Sequence, residues 1–239
     1  MSKGELDYFD YFTKKEKRNI QKTRKYFSKE LEFCKETIDL LFDAFKSAFN
    51  SYSEKWSHSK KACLFILPRI IMSAKTSLEL LIRGYYFDYI VVQRSLMESI
   101  ALLALLSKDE EKAKKWLNFE KLEISKFKLI HQLHPSPTKK LITLANKMYA
   151  EQCDYVHSNF VAIIAEFSRH TNRRVKYLEF PKFEKSLIGE AIDSPLSALA
   201  LLFLIDAYQD ELEKSFRTKV KNFVGEKISE WKAEGLIKN

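Results

Sequence analysis

An all-α fold, an up-down bundle of helices, is what the composition and patterning of this chain predict. Three observations carry that prediction. Glycine and proline number five each in 239 residues, too few for the many turns a β protein needs. Apolar residues recur in steps of three and four at Phe27, Leu31, Cys34, Ile38, Leu41, Phe45, Ala48 and Tyr52, the spacing that lines one stripe of a helix. One segment, Tyr85 to Leu106, is apolar on nearly every side, as a helix wrapped by others must be. With 46% hydrophobic residues over this length, the chain can bury a substantial core.

The elements follow in order. A long first helix is expected from about Lys14 to Lys55, after an acidic and aromatic tail, 1–13. It opens with eight cations between Lys14 and Lys29, either a solvated helix end or an arm for nucleic acid or anionic lipid. A second helix runs from about Ser59 to Arg83, where Pro68 kinks it or opens its second half. Gly84 breaks the chain so briefly that the next helix should return antiparallel beside it. That third helix, about 85–106, is the central apolar one. Lys108-Asp109-Glu110-Glu111 starts a fourth with acids in its first turn, extending to about Leu133 and burying Trp116, Leu117, Phe119, Leu122, Phe127 and Ile130.

His134-Pro135-Ser136-Pro137-Thr138 is the clearest punctuation, ahead of a fifth helix from Lys139 to about Asp154. A short sixth follows around Asn159–Ser168, and extended structure is placed around Val175–Phe180. Asp193-Ser194-Pro195 caps an apolar helix reaching about Lys214. A basic amphipathic C-terminal helix within 215–239 sets Phe216, Val220, Phe223, Val224, Ile228 and Trp231 on one side. With no repeat or low-complexity linker, residues 14–214 read as a single helical-bundle domain between the tail and that last helix.

The formal net charge of +9 favours polyanionic partners, nucleic acid or an anionic membrane surface. Cys34, Cys63 and Cys153 are far apart and odd in number, which suggests neither a disulfide framework nor a zinc knuckle and fits a reducing cytoplasm. The N-terminus lacks the basic-then-apolar order of a signal peptide. Tyr85–Leu106 carries Asp88, Arg94 and Glu98, and Leu196–Ile205 is about half the ~20 residues a span needs, so no transmembrane segment is expected. GxxxxGK[ST], GxGxxG, GxSxG and HExxH are all missing, which removes the sequence support for P-loop hydrolysis, dinucleotide redox chemistry, serine hydrolysis and zincin chemistry. No cofactor and no metal are expected.

Arg94 and Glu98 stand one helical turn apart in that apolar helix. Charges in such a place must be paired or serve a site, so the pair is either internal glue that fixes the bundle's register or the floor of a polar pocket. In the second case Arg94 binds a phosphate or carboxylate and Glu98 holds its guanidinium. Tyr85, Tyr86 and Asp88 can add polar groups near the helix start. His157 follows Asp154 by three residues, close enough on a helix for the carboxylate to orient the imidazole. With Tyr155, Ser158 and Asn159 beside it, that stretch reads as a pocket rim or as a satisfied structural histidine. Arg169, Arg173 and Arg174, with Lys176 and Tyr177, mix cations and an aromatic as phosphate-tracking surfaces do, and equally as a solvated loop does. His131 and His134 can pair on a metal only if a third ligand, not identifiable here, joins them.

The run Arg83-Gly84-Tyr85, Asp88, Arg94-Ser95-Leu96-Met97-Glu98, Trp116-Leu117 and later Tyr155-Val156-His157 resembles a family of uncharacterised bacterial and phage-associated helical proteins over about Ile66 to Asn159. More remotely it is similar to HEPN-type helical bundles, many of them metal-independent ribonucleases or nucleotide-binding modules of toxin and anti-phage systems. Those proteins carry Arg, a polar residue and His in an R-x(4–6)-H motif, often paired across a dimer; here Arg94 and His157 would have to meet in space. The resemblance implies an RNA-acting protein with Arg94, Glu98 and His157 as catalytic residues and Asp154, Tyr155, Asn159, Arg169, Arg173 and Arg174 as substrate contacts. The alternative is a non-catalytic interaction module, a homodimer or a partner-binding protein using its C-terminal helix, with a structural Arg94–Glu98 pair.

Overall fold

A computed structural model describes residues 7–122, Phe183, Lys185, Ile188, Ala207, Tyr208, Asp210 and 212–233. Among these the fold is all-α: α1 (Tyr8–Tyr26), α2 (Ser28–Asn50), α3 (His58–Arg83), α4 (Tyr86–Leu106), α5 (Glu110–Leu117) and α6 (Lys214–Ala233). The fifth and sixth helices expected between Lys139 and Ser168, most of the seventh, and the extended stretch at Val175–Phe180 lie outside the described residues. The seventh does not run on to Lys214 as expected: Tyr208 and Asp210 lie in a turn, and Lys214 opens α6.

The single long first helix is corrected in two places. It begins at Tyr8, inside the expected tail, because the Asp7 carboxylate accepts from the N–H groups of Phe9 and Asp10 at 2.9 and 3.3 Å, a cap contributing about 1 kcal/mol. It then breaks at Phe27, where φ −133° and ψ 40° leave the helical region. Neither glycine nor proline marks the break. Phe27 instead drops into a small core with Leu31, Leu81, Tyr86, Tyr89 and Ile188. An unbroken helix of that length would run on for about 60 Å, past the end of any partner; divided, α1 and α2 each pack along α3.

Among the described helices α3 packs against four others, α1, α2, α4 and α5. Its start is capped twice. The Ser57 hydroxyl accepts from Lys60 N–H at 3.2 Å, and the Glu110 carboxylate of α5 accepts from the N–H groups of His58 and Ser59 at 2.7 and 2.9 Å. Burial disfavours the Glu110 charge, but those N–H groups and the His58 ring outweigh it and bring the carboxyl down to about 2. α3 runs unbroken through Pro68, which sits on its exposed side with Phe65, Arg69 and Met72.

Gly84 ends α3 in the left-handed region, φ 92°. Tyr85 N–H reaches back to Leu80 O at 2.9 Å and Gly84 N–H to Leu81 O at 3.1 Å, the double closure that favours glycine at this position. The expected tight antiparallel return follows: α3 and α4 form the most extensive helix pair. Leu67, Ile70, Leu96, Ile100 and Leu103 are fully buried in the main core. Each such side chain contributes on the order of 2 kcal/mol by leaving water. Asp88–Leu106 is also long and apolar enough to cross a membrane by length and composition, and 56% of it is buried inside this fold.

The fourth helix starts as expected, with Asp109 as N-cap, but ends at Leu117 rather than Leu133. Phe119 takes φ 59° and Glu120 N–H returns to Lys115 O at 2.9 Å, so the same closure recurs without glycine. Phe119, expected in the core, is 98% exposed. Trp116, Leu117 and Leu122 pack against the main core, while Phe127 and Ile130 lie outside the described residues. α6 places the expected apolar side on that core through buried Val220 and Val224, and Phe223 stacks on Phe33 of α2 at 4.9 Å between centroids. Tyr208, fully buried, donates its hydroxyl to Lys60 O at 2.8 Å and ties the chain before α6 to the start of α3.

Candidate functional site

Polar side chains gather along the α3–α4 hairpin because α4, with apolar residues all round, must still place Gln93, Arg94, Ser95, Glu98 and Ser99 somewhere. Gln93, nearly buried, donates Nε2–H to Ser77 Oγ at 3.0 Å, and Ser77 donates to Ala74 O at 2.8 Å. Arg69 of α3 donates to Ser95 Oγ at 3.1 Å, and Ser99 to Ser95 O at 2.8 Å. Oε1 of Gln93 is buried and has no hydrogen-bond partner among the described residues. An orphaned acceptor of this kind costs about 1–3 kcal/mol.

Arg94 Nε lies 3.3 Å from Glu98 Oε1, the same-face pairing that their spacing predicts. The two side chains keep 17% and 19% of their surface exposed, so the pair is neither sealed in the core nor extended into bulk water. Engagement through Nε fixes the plane of the guanidinium, the arrangement that lets an arginine act as a rigid, bidentate donor to a phosphate or carboxylate. Of the three expected catalytic residues, these are the two that lie among the described residues. His157, Asp154, Tyr155, Asn159, Arg169, Arg173 and Arg174 lie outside the described residues, as do Cys153, His131 and His134.

Tyr85, expected to add a polar group near the start of the apolar helix, is engaged together with Arg83 by α1. Glu16 of α1 takes Arg83 Nη1 at 2.8 Å on one oxygen and the Tyr85 hydroxyl at 2.7 Å on the other. Asn19 Nδ2 donates to Arg83 O at 2.8 Å. One carboxylate thus clasps both sides of the turn and fixes α1 against the hairpin. Burial and the Glu16 carboxylate push the Tyr85 hydroxyl up to about 12. Tyr86 is buried in the smaller core and Asp88 is exposed. The residues that sequence reasoning passed over are Glu16, Asn19, Ser77 and Gln93. Each is a common polar residue whose partner lies on another helix, and no local spacing signals that.

Cys63 is not a nucleophile candidate, since burial pushes its thiol up to about 12. Among the described residues no group of three or more His, Cys, Asp or Glu side chains is placed to hold a metal ion. His58 Nδ1 is engaged with Glu110 at 2.8 Å in the cap of α3. No protein family, curated protein or solved structure matches this chain.

Proposed function

We propose that this chain acts on RNA as a HEPN-like, metal-independent endoribonuclease of a toxin or anti-phage setting, with Arg94, Glu98 and His157 as its working residues. The observation that supports it is the half-buried Arg94–Glu98 pair, 3.3 Å apart and still reached by solvent. In this reading His157 takes the proton of a ribose 2′-hydroxyl, the 2′-oxygen bonds to phosphorus, and the 5′-oxygen leaves with a proton returned to it. Arg94 stabilises the charge gathering on the phosphate, held in orientation by Glu98. Asp154 orients the imidazole, while Tyr155, Asn159, Arg169, Arg173 and Arg174 contact substrate. The test is cleavage of a labelled RNA by the intact chain without metal and by Arg94→Ala and His157→Ala separately. Loss in both variants is expected; unchanged cleavage or cell toxicity in both would falsify the reading.

One observation favours the alternative, a non-catalytic module that dimerises or docks a partner. Phe42, Phe45 and Phe49 form an aromatic ladder along α2 with ring spacings of 6.4 and 5.8 Å, and Phe42 and Phe49 are more than half exposed. Exposed apolar rows of this sort mark interaction surfaces. Sedimentation of the chain as a dimer, together with no RNA affinity at low salt, is the outcome that would select it.

A further inference from the structure

We propose that the outward face of α1 is a track for the backbone of single-stranded nucleic acid, RNA under the reading above, on which this inference rests for its substrate class. From Lys14 to Lys25 one arc of the helix, roughly a third of its circumference at about 100° per residue, presents Lys14, Lys17, Arg18, Gln21, Arg24 and Lys25. All six are exposed. That is five cations and one amide over about 16 Å of helix, with no carboxylate among them.

On the line of this arc the nearest acid is Asp10, one turn before Lys14. Glu16 is the one acid between Lys14 and Lys29 before Ser28 begins α2, and it is turned inward, spent on Arg83 and Tyr85 at 2.8 and 2.7 Å. The buried side of α1 is held by Asn19 and Thr23 rather than by a long apolar stripe. The lysines of the outer arc are therefore not snorkelling from a greasy face; the arc exists as charge.

Where α1 ends, Tyr26 is about half exposed and lies 5.8 Å from Phe183. Lys22 sits over Phe183 at 5.3 Å, and Lys25 and Lys185 over Tyr26 at 5.8 and 4.9 Å. A cation-ringed aromatic pair at the end of a basic track is the combination that stacks a base while its phosphates are held. An anionic membrane fits less well, because the arc carries no apolar side chain to insert below the headgroups.

The experiment uses the full chain and a fluorescein-labelled, twenty-nucleotide single-stranded RNA, titrated at several salt concentrations. The quadruple variant Lys14→Gln, Lys17→Gln, Arg18→Gln, Lys25→Gln is compared with a control of equal charge change on other exposed lysines, Lys46→Gln, Lys55→Gln, Lys114→Gln, Lys115→Gln. The track predicts a salt slope shallower by about 0.7 for each phosphate contact removed, close to 3 in all, with affinity down about tenfold or more; the control keeps most of its slope. Equal losses in both variants would reduce the effect to net charge and overturn the proposal. So would a quadruple variant that keeps its RNA affinity while losing binding to phosphatidylserine vesicles. Cleavage by the Arg94 and His157 variants is read separately, so an inactive chain that still binds RNA along α1 would sink the ribonuclease reading and leave the track standing.

Discussion

The α3–α4 hairpin and the outer face of α1 treat charge in opposite ways. In the middle of the hairpin the polar groups take neighbours from the same pair of helices: Arg94 with Glu98, Arg69 with Ser95, Gln93 with Ser77. On α1 the cations face outward and the nearby carboxylate has been taken by Arg83 and Tyr85. Charge is a structural cost in the hairpin and is available to a ligand on α1. Inside the hairpin, loss of a partner strands a group away from water; on α1, loss of a cation strands nothing.

The largest effect is expected where the hairpin carries the core. Leu103→Ala removes a fully buried side chain and should cost about 3 kcal/mol, a fall of roughly 6–12 °C in melting temperature for a chain of this size. A cost under about 1 kcal/mol by chemical denaturation would mean that the hairpin is not the centre of stability. Next comes Arg94→Ala, which leaves the Glu98 carboxylate half-buried and should cost about 2 kcal/mol. Arg94→Leu with Glu98→Leu should recover most of that loss, because the penalty lies in the stranded charge. If the double variant is as unstable as the single one, the pair does more than balance itself.

A smaller effect is expected at the clasp joining the two regions. Glu16→Gln should cost about 1 kcal/mol and bring the Tyr85 hydroxyl down from about 12, followed by ultraviolet titration of the phenol. The sign is fixed: Tyr85 titrates higher in the folded chain than its ordinary value of 10.0, so its contribution is whole below that value and fades as the pH rises from about 10 to about 12. An alkaline denaturation profile that the substitution leaves unchanged would count against the clasp. Neutralising Lys14, Lys17, Arg18 or Lys25 singly should change stability by no more than about 0.5 kcal/mol, and a larger loss in any of them would show that the outer face is part of the fold's own support.

Much of this architecture was legible locally. Scarce glycine and proline, the three-four spacing and the Arg83-Gly84 stop give an all-α chain and an antiparallel hairpin with ends close to those observed, because helix caps and periodicity are decided within a few residues. The Arg94–Glu98 pairing was legible for the same reason, being one turn of one helix. The break at Phe27 was not, since it answers to a hole formed by Leu81, Tyr86, Tyr89 and Ile188 rather than to a breaker residue. The stop after Leu117 hid in a non-glycine residue at φ 59°, and the exposure of Phe119 followed from it.

The helical class, the hairpin at Gly84, the charged pair in an apolar helix and the excess of cations between Lys14 and Lys29 follow from the residues alone, because these depend on composition and on neighbours within a turn or two. Packing between helices sets the engagement of Glu16 with Arg83 and Tyr85, the capping of α3 by Glu110, and the buried Gln93 acceptor that has no partner among the described residues. Those facts depend on which helix lies against which, and a side chain's partner across a bundle is set by packing, which no spacing along the chain records.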